Sequence, residues 1–460
     1  MRLTRRQAVG GMAATAFLPT LPARAAGPQT LTAQVSDMQL LPDEYGRTTI
    51  WGYDGTMPGP EIRVSKGGRV QREFINQLPQ ATSIHWHGVR IDNQMDGVSG
   101  LTQSAIAPNE RFVYDFKVPD AGTYWFHAHN RSVEQVARGL YGALIVEETT
   151  PPDIDQEDVL ILDDWLVDTA TGQIDNDFDA MHDRSHAGRN GNFIATNGVG
   201  GFSKSAKQNE RRRLRIINAA NARIFELRLD GMEGWVLALD GMPLNKPEPF
   251  GDYLLLGPGQ RADVFVDITA ETGEVAHLVS MIDDRAFAQV RFNVTGEASK
   301  TRRSIPAPLE SNSTPNVALQ DAIQLDLTME GGAMGRLRSA SLDGKRESFR
   351  SLISKGQFWA FNGAVGRMEN GPLAQLERGE HVRLKIRNDT VFPHAMHLHG
   401  MHFQEVSESG QLGPFRDTTL VFGNQTREIA FVADNPGKWL LHCHMLSHAA
   451  SGMTTQIEVV

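Results

Sequence analysis

The sequence predicts an all-β chain of three sandwich-sized domains, and three observations carry that expectation. Long helical periodicity is scarce, whereas short alternating or β-branched runs bounded by Gly, Pro, Asn and Asp recur, as at 69–75, 253–256 and 382–386. Two Pro-rich polar breaks, 149–157 and 299–317, read as linkers and divide the chain into pieces of sandwich size. Each piece also holds a charged alternating strand ending in Asn, at 69–76, 213–218 and 382–388. The expected domains are 27–148, 158–298 and 318–460.

Before the first domain, residues 1–26 read as an address. Basic Arg2, Arg5 and Arg6 precede a mildly apolar run from Ala8 to Leu21, then Ala23-Arg24-Ala25 ahead of Ala26. Thr4-Arg5-Arg6-Gln7 resembles the twin-arginine export signal, which carries folded, often cofactor-loaded proteins across the bacterial inner membrane. An ordinary secretory signal with a basic flank also implies export, so a periplasmic or otherwise exported protein starting near Ala26 is expected. The run is broken by Gly10, Gly11 and Pro19, and no later segment reaches about 18 apolar residues, so no membrane span is expected in the mature protein.

A net charge of -10 over 460 residues argues against nucleic acid as a partner, because phosphate binding needs clustered Lys and Arg. The chain holds one cysteine, Cys443, which excludes an intramolecular disulfide in an oxidising compartment. A buried inert thiol would be the bland account of it.

Its neighbours say otherwise. His85-Trp86-His87-Gly88 parallels His397-Leu398-His399-Gly400, and the run 122–129, ending His127-Ala128-His129, parallels 437–444, ending His442-Cys443-His444. In a strand, residues i and i+2 share a face, so each His-x-His sets two imidazoles side by side while the middle residue faces away. Four such pairs use eight of the fifteen histidines. Eight imidazoles without a carboxylate or thiolate suit copper, and they exceed what one ion accepts, so a cluster of several coppers is expected.

A second set gathers at Cys443, where His394 lies just upstream of one pair and His448 and Met453 follow the cysteine by five and ten residues. Two His, one Cys and a weak Met make a blue-copper site suited to one-electron transfer. Cys443 projects to one side of its strand and His442 and His444 to the other, so one strand joins both sites. The equivalent residue of the first piece is Ala128, which cannot bind copper.

These segments resemble the copper signatures of the multicopper oxidases, and domain order and linkers extend the resemblance over the mature chain. It implies three cupredoxin-like Greek-key β-sandwich domains and four coppers per chain. By motif position, type 1 copper would take His394, Cys443, His448 and Met453, and type 2 would take His85 and His397. The type 3 pair would use His87, His127 and His444 on one ion and His129, His399 and His442 on the other. Asp96, eleven residues after His85, matches an acid that delivers protons in this family, the alternative being a solvated turn acid in Asp96-Gly97. A Glu that many relatives carry just after the histidine matching His448 has no counterpart, since Ala449, Ala450 and Ser451 occupy the stretch.

The resemblance implies a laccase-like enzyme that passes electrons from a phenol or similar donor to O2, and a monomer is expected. Metal-ion oxidation of Cu(I), Fe(II) or Mn(II) is the alternative, although the sixteen methionines are dispersed and only Met329 and Met334 offer a soft pair in a Gly-rich segment. A two-domain nitrite reductase lacks the second set of cluster ligands that the eight paired histidines supply, and copper-free structural relatives have typically lost ligands that are present here. A copper-storage or tolerance protein that keeps the ligands while turning over slowly is a further alternative. Substrate choice is expected to depend on what lies over His394 and His448, read as the exposed edge of their site. The segment 168–192, with His182 and His186, reads as an exposed loop, and His277, His381 and His402 read as structural.

Overall fold

A computed structural model describes residues 28–282, 284–366 and 370–460; the expected export signal lies outside them. The chain is all-β, built as three pairs of packed sheets with a few short helices. The first pair consists of a sheet ordered Thr48–Tyr53, Gln29–Met38, Arg69–Asn76, Arg111–Lys117 and another ordered Ile62–Ser65, Tyr141–Glu147, Gly122–Ala128, Ile84–His87. The second pair has six and five strands between Gln156 and Glu297, and the third has six and five between Ile323 and Val459. Connections that skip neighbours in these sheets give the cupredoxin-like sandwich.

The repeated strand has a physical reason. Asn76, Asn218 and Asn388 are buried at the ends of equivalent strands. Each accepts from the backbone two residues on, at Leu78, Ala220 and Thr390. Each donates to two carbonyls, those of Gln80 and Ile106, of Arg223 and Leu256, and of Phe392 and Val421. An Asx turn that also pins a neighbouring loop needs an amide at that place, which Asp cannot supply.

The first and third sandwiches share one continuous apolar core running from Leu31 and Trp86 through Trp439 to Val459. Ala128 and Cys443 both belong to it, because each faces inward from a strand whose histidines face the opposite side. The middle sandwich has its own core, and a further cluster joins it to the first through Trp125, Tyr141, Trp165 and Ile217.

Candidate metal centre

Register brings the pairs together. His85 stands opposite His127 in the first sandwich, and His397 stands opposite His442 in the third, both antiparallel, so cross-strand imidazoles share a face. The two faces meet across the seam, with His85 stacked on His399 at 3.8 Å and His87 on His397 at 3.7 Å between ring centroids. Two further triangles close within the assembly. His87, His127 and His444 lie 5.8, 5.0 and 5.3 Å apart, and His129, His399 and His442 lie 5.2, 5.6 and 5.2 Å apart.

Outer ring nitrogens are tied down and inner ones are bare. Backbone carbonyls of Asp96, Ala128, Asp417 and Cys443 accept from Nδ1 of His85, His127, His397 and His442 at 2.9, 3.2, 2.9 and 2.9 Å. A carbonyl only accepts, so these nitrogens carry the proton and Nε2 is left with a lone pair. Carboxylates do the same for two others: Asp96 Oδ2 accepts from His399 Nδ1 at 3.0 Å and Asp417 Oδ1 from His87 Nε2 at 3.2 Å. Burial first, and adjacent imidazoles next, hold His87, His127, His399, His442 and His444 well below the ordinary histidine value, so the rings are neutral donors.

That arrangement provides a test of whether a metal fits. Ring nitrogens of His85, His87, His127, His397 and His444 are buried without any partner, at a cost of about 1–3 kcal/mol each if nothing fills the space. His399 Nε2 and His442 Nε2 face each other at 3.2 Å with both outer nitrogens already committed. Two opposed lone pairs repel, and a cation between them removes the conflict. An all-imidazole set with fixed outer nitrogens fits copper.

At the other side of the Gly437–Cys443 strand, Cys443 Sγ lies 3.6 Å from His394 Nδ1 and 3.7 Å from His448 Nδ1, which are 3.1 Å apart. Thr390 Oγ1 accepts from His394 Nε2 at 3.0 Å and the His186 carbonyl from His448 Nε2 at 2.7 Å, so both Nδ1 atoms are bare and converge with the sulfur. Met453 is fully buried in the same turn, and its carbonyl accepts from the Cys443 amide at 3.1 Å. Burial pushes the Cys443 thiol up to about 12, so the proton stays on until a soft cation displaces it. Burial brings His448 down to about 4.

Two expectations change here. His394 and His448 form no exposed edge, since both are fully buried. Trp359 lies against them at 5.1 and 4.4 Å between ring centroids, and the middle domain covers His448 with the backbone of 184–186. The segment 168–192 is therefore a cover in part. It contains a short helix, Met181–Ser185, tied to the third domain by Trp359 Nε1 donating to the Arg184 carbonyl at 2.6 Å and the Ala333 amide to that of Ser185 at 2.6 Å. His182 alone behaves as a surface histidine, with its side chain 76% exposed and stacked on His186 at 4.2 Å.

Asp96 is fully buried and reaches imidazoles of two domains, His399 through Oδ2 and His85 through Oδ1 at 3.1 Å. This is no solvated turn acid. Sequence reasoning missed Asp417, Arg261 and Gly259, which come from separate loops and strand ends with no local spacing to flag them. A cavity of about 630 Å³ reaches His129 and His442 and is walled by Phe178, Arg184, Ala449 and Ala450. His277 pairs with Asp230, His381 accepts from the Ala318 amide, and His402 is buried 3.8 Å from Asp417. No described helix is long and apolar enough to cross a membrane.

Comparison with known proteins agrees with this geometry. Three multicopper oxidase family models match residues 34–151, 156–291 and 345–460. The multicopper oxidase MmcO of Mycobacterium tuberculosis is 31% identical, over 89% of this chain and 82% of its own. A multi-copper oxidase structure from Pseudomonas thermotolerans superposes with a TM-score of 0.82 at 32% identity, covering 94% of this chain and 99% of that one. The structure of Lac15 from a marine microbial metagenome gives 0.75 at 38% identity, covering 94% and 100%. The chain belongs to the multicopper oxidase family, whose members are copper-dependent oxidoreductases that use O2.

Proposed function

We propose that this protein is a laccase-like oxidase that takes electrons singly from a phenol or similar reducing substrate and delivers four of them, with four protons, to one O2, releasing two waters. The observation that carries this reading is the strand Gly437–Cys443 and the residue after it, which present a sulfur among two bare imidazole nitrogens on one side and His442 and His444 on the other. His394, Cys443, His448 and Met453 would hold type 1 copper. His85 and His397 would hold type 2 copper, and His87, His127, His444 and His129, His399, His442 the type 3 pair. Copper bound there supplies the one-electron couple and the means to bind and reduce O2.

The protein's own groups do the rest. Asp417 and the backbone carbonyls hold outer nitrogens protonated, so bare nitrogens point inward. Asp96 sits buried between His85 and His399 and is placed to pass a proton at its carboxylate oxygens. The cavity at His129 and His442 offers O2 and water a way to and from the cluster.

One observation favours a second reading, oxidation of a metal ion such as Cu(I), Fe(II) or Mn(II). The buried His394 and His448 deny a phenol ring direct contact, whereas His182, exposed on the cover, presents an imidazole to small cations. Oxygen uptake measured with a phenol, Fe(II), Cu(I) and Mn(II) separates the two. A phenol rate exceeding the metal rates, with one O2 consumed per four electrons, is the expected result; turnover of metal ions alone would establish the second reading.

A further inference from the structure

None of the paired histidines comes from the middle domain, yet its strand Arg261–Ile268 begins against the cluster. Arg261 is fully buried and grips Asp417 with both prongs, Nη1 donating to Oδ1 at 2.9 Å and Nη2 to Oδ2 at 2.7 Å. The same guanidinium donates to carbonyls of Thr123 at 3.2 Å, Asp240 at 2.9 Å and Gly259 at 3.0 Å. It thus touches all three domains. Asp417 hands the restraint on: its Oδ1 accepts from His87 Nε2 at 3.2 Å and lies 3.4 Å from His397 Nδ1, the nitrogen that its own carbonyl already binds.

Two glycines clear the space for this contact. A Cβ on Gly88 would lie 2.1 Å from Arg261 Nη2 and 2.6 Å from Asp417 Oδ2, and one on Gly259 would lie 2.9 Å from His444 and 3.0 Å from His87. Both residues have positive φ, +84° and +83°, which glycine adopts without strain. Asp417 also lies near enough to His87 and His397 to be mistaken for a third ligand. Both of its oxygens are taken by Arg261, however, and a metal ion there would meet the guanidinium's like charge.

We propose that Arg261 and Asp417 form a clamp across three domains that positions His87 and His397, so that the middle domain, itself without ligands, governs whether the cluster between the outer domains accepts its metal. Both are positioning residues, and the inference rests on the ligand reading given above.

The test loads purified protein with Cu(II) and reads copper per chain, the electron paramagnetic resonance of the non-blue copper, the blue band, and the melting temperature of the metal-free form. Asp417→Asn keeps the shape but loses the negative charge and replaces one oxygen with an NH2 that cannot accept from Arg261. Arg261→Gln loses the charge, and Arg261→Lys keeps the charge without the fork. Arg211→Gln is the control, because Arg211 makes an equally buried two-pronged pair, with Asp267 at 2.7 and 2.8 Å. The expected result is copper falling from four per chain toward one in Asp417→Asn and Arg261→Gln with the blue band unchanged. Arg261→Lys should lie between these and wild type, and Arg211→Gln should fill completely despite a lower melting temperature. If Asp417→Asn does not fold, the two Arg261 variants carry the test. Full loading of Arg261→Gln, or copper loss in Arg211→Gln equal to that in the clamp variants, would overturn the clamp. Wild-type protein holding only the blue copper would overturn the ligand reading itself, a failure visible before any substitution is made.

Discussion

The first and third domains carry the same two strands in the same register, yet only one of them holds a sulfur. Ala128 and Cys443 occupy equivalent inward positions, each flanked by histidines on the opposite face. The surroundings differ too. Thr82 stands three residues before His85 as His394 stands before His397, and Val133 stands four residues after His129 as His448 stands after His444. Thr82 is spent on a hydrogen bond to Gln135 at 2.6 Å, and Val133 is buried. One sandwich contributes two of the histidine pairs; the other contributes the other two and the sulfur with its two converging imidazoles. The difference lies in the side chains at these positions and in the turn that follows, a helix at Ser132–Ala137 in the first domain and a shorter one at Leu446–Ala449 in the third.

Making the third domain like the first should have the largest effect. Cys443→Ser is expected to abolish the blue band and lower kcat by ~10³-fold or more, with the histidine cluster still loaded, as read by visible spectrum and copper analysis. Asp96→Asn comes next: kcat should fall by about 10²-fold, the usual weight of a positioned proton donor, while the blue band stays intact. Unchanged turnover would return Asp96 to a purely structural role.

A third prediction contrasts the seams. The first and third domains share one continuous apolar core, whereas the first meets the second through a smaller apolar cluster and a buried polar contact: Thr123 donates to Asp263 at 2.5 Å, and Asp263 in turn accepts from Arg213 at 2.5 Å. Burial alone would raise the Asp263 carboxyl, but Arg213 and Arg215 outweigh it and hold it below its ordinary value. Its stabilising contribution is therefore complete above the ordinary aspartate value of about 4 and is lost as pH falls through the lower folded-state value. Melting temperatures of the metal-free protein should fall more steeply with acid in wild type than in Asp263→Asn, which forfeits that contribution at every pH. Parallel curves would assign the acid sensitivity elsewhere. The smallest effect belongs to Ala128→Cys, which should create no second blue band, because Thr82 and Val133 offer no imidazoles; a new band would mean that the cysteine alone decides.

What was legible in the sequence follows from period and range. The His-x-His pairs announce themselves because strand geometry turns a two-residue spacing into a shared face, and Asp96 could be read because its place after His85 matches an acid of the family that the motifs resemble. Asp417 and Arg261 could not, since their partners lie 156 residues apart in sequence and meet only through packing. The cover over His448 was equally hidden. A polar, Asp- and Gly-rich stretch looks like an exposed loop, yet Ser185 is buried where the Ala333 amide of the third domain donates to its carbonyl, and Arg189 is buried among Asp175, Asp177 and Phe178 of its own segment. Three terminal asparagines, by contrast, were visible as a weak repeat and proved to share one hydrogen-bond pattern.

Metal content and visible absorption, taken together on the purified wild type and on Cys443→Ser, test the central claim most directly. Four coppers and an intense blue colour in the first, with three coppers and no blue in the second, are the predicted result. Blue absorption surviving without the thiol, or wild-type protein that is colourless when fully loaded, would contradict the account.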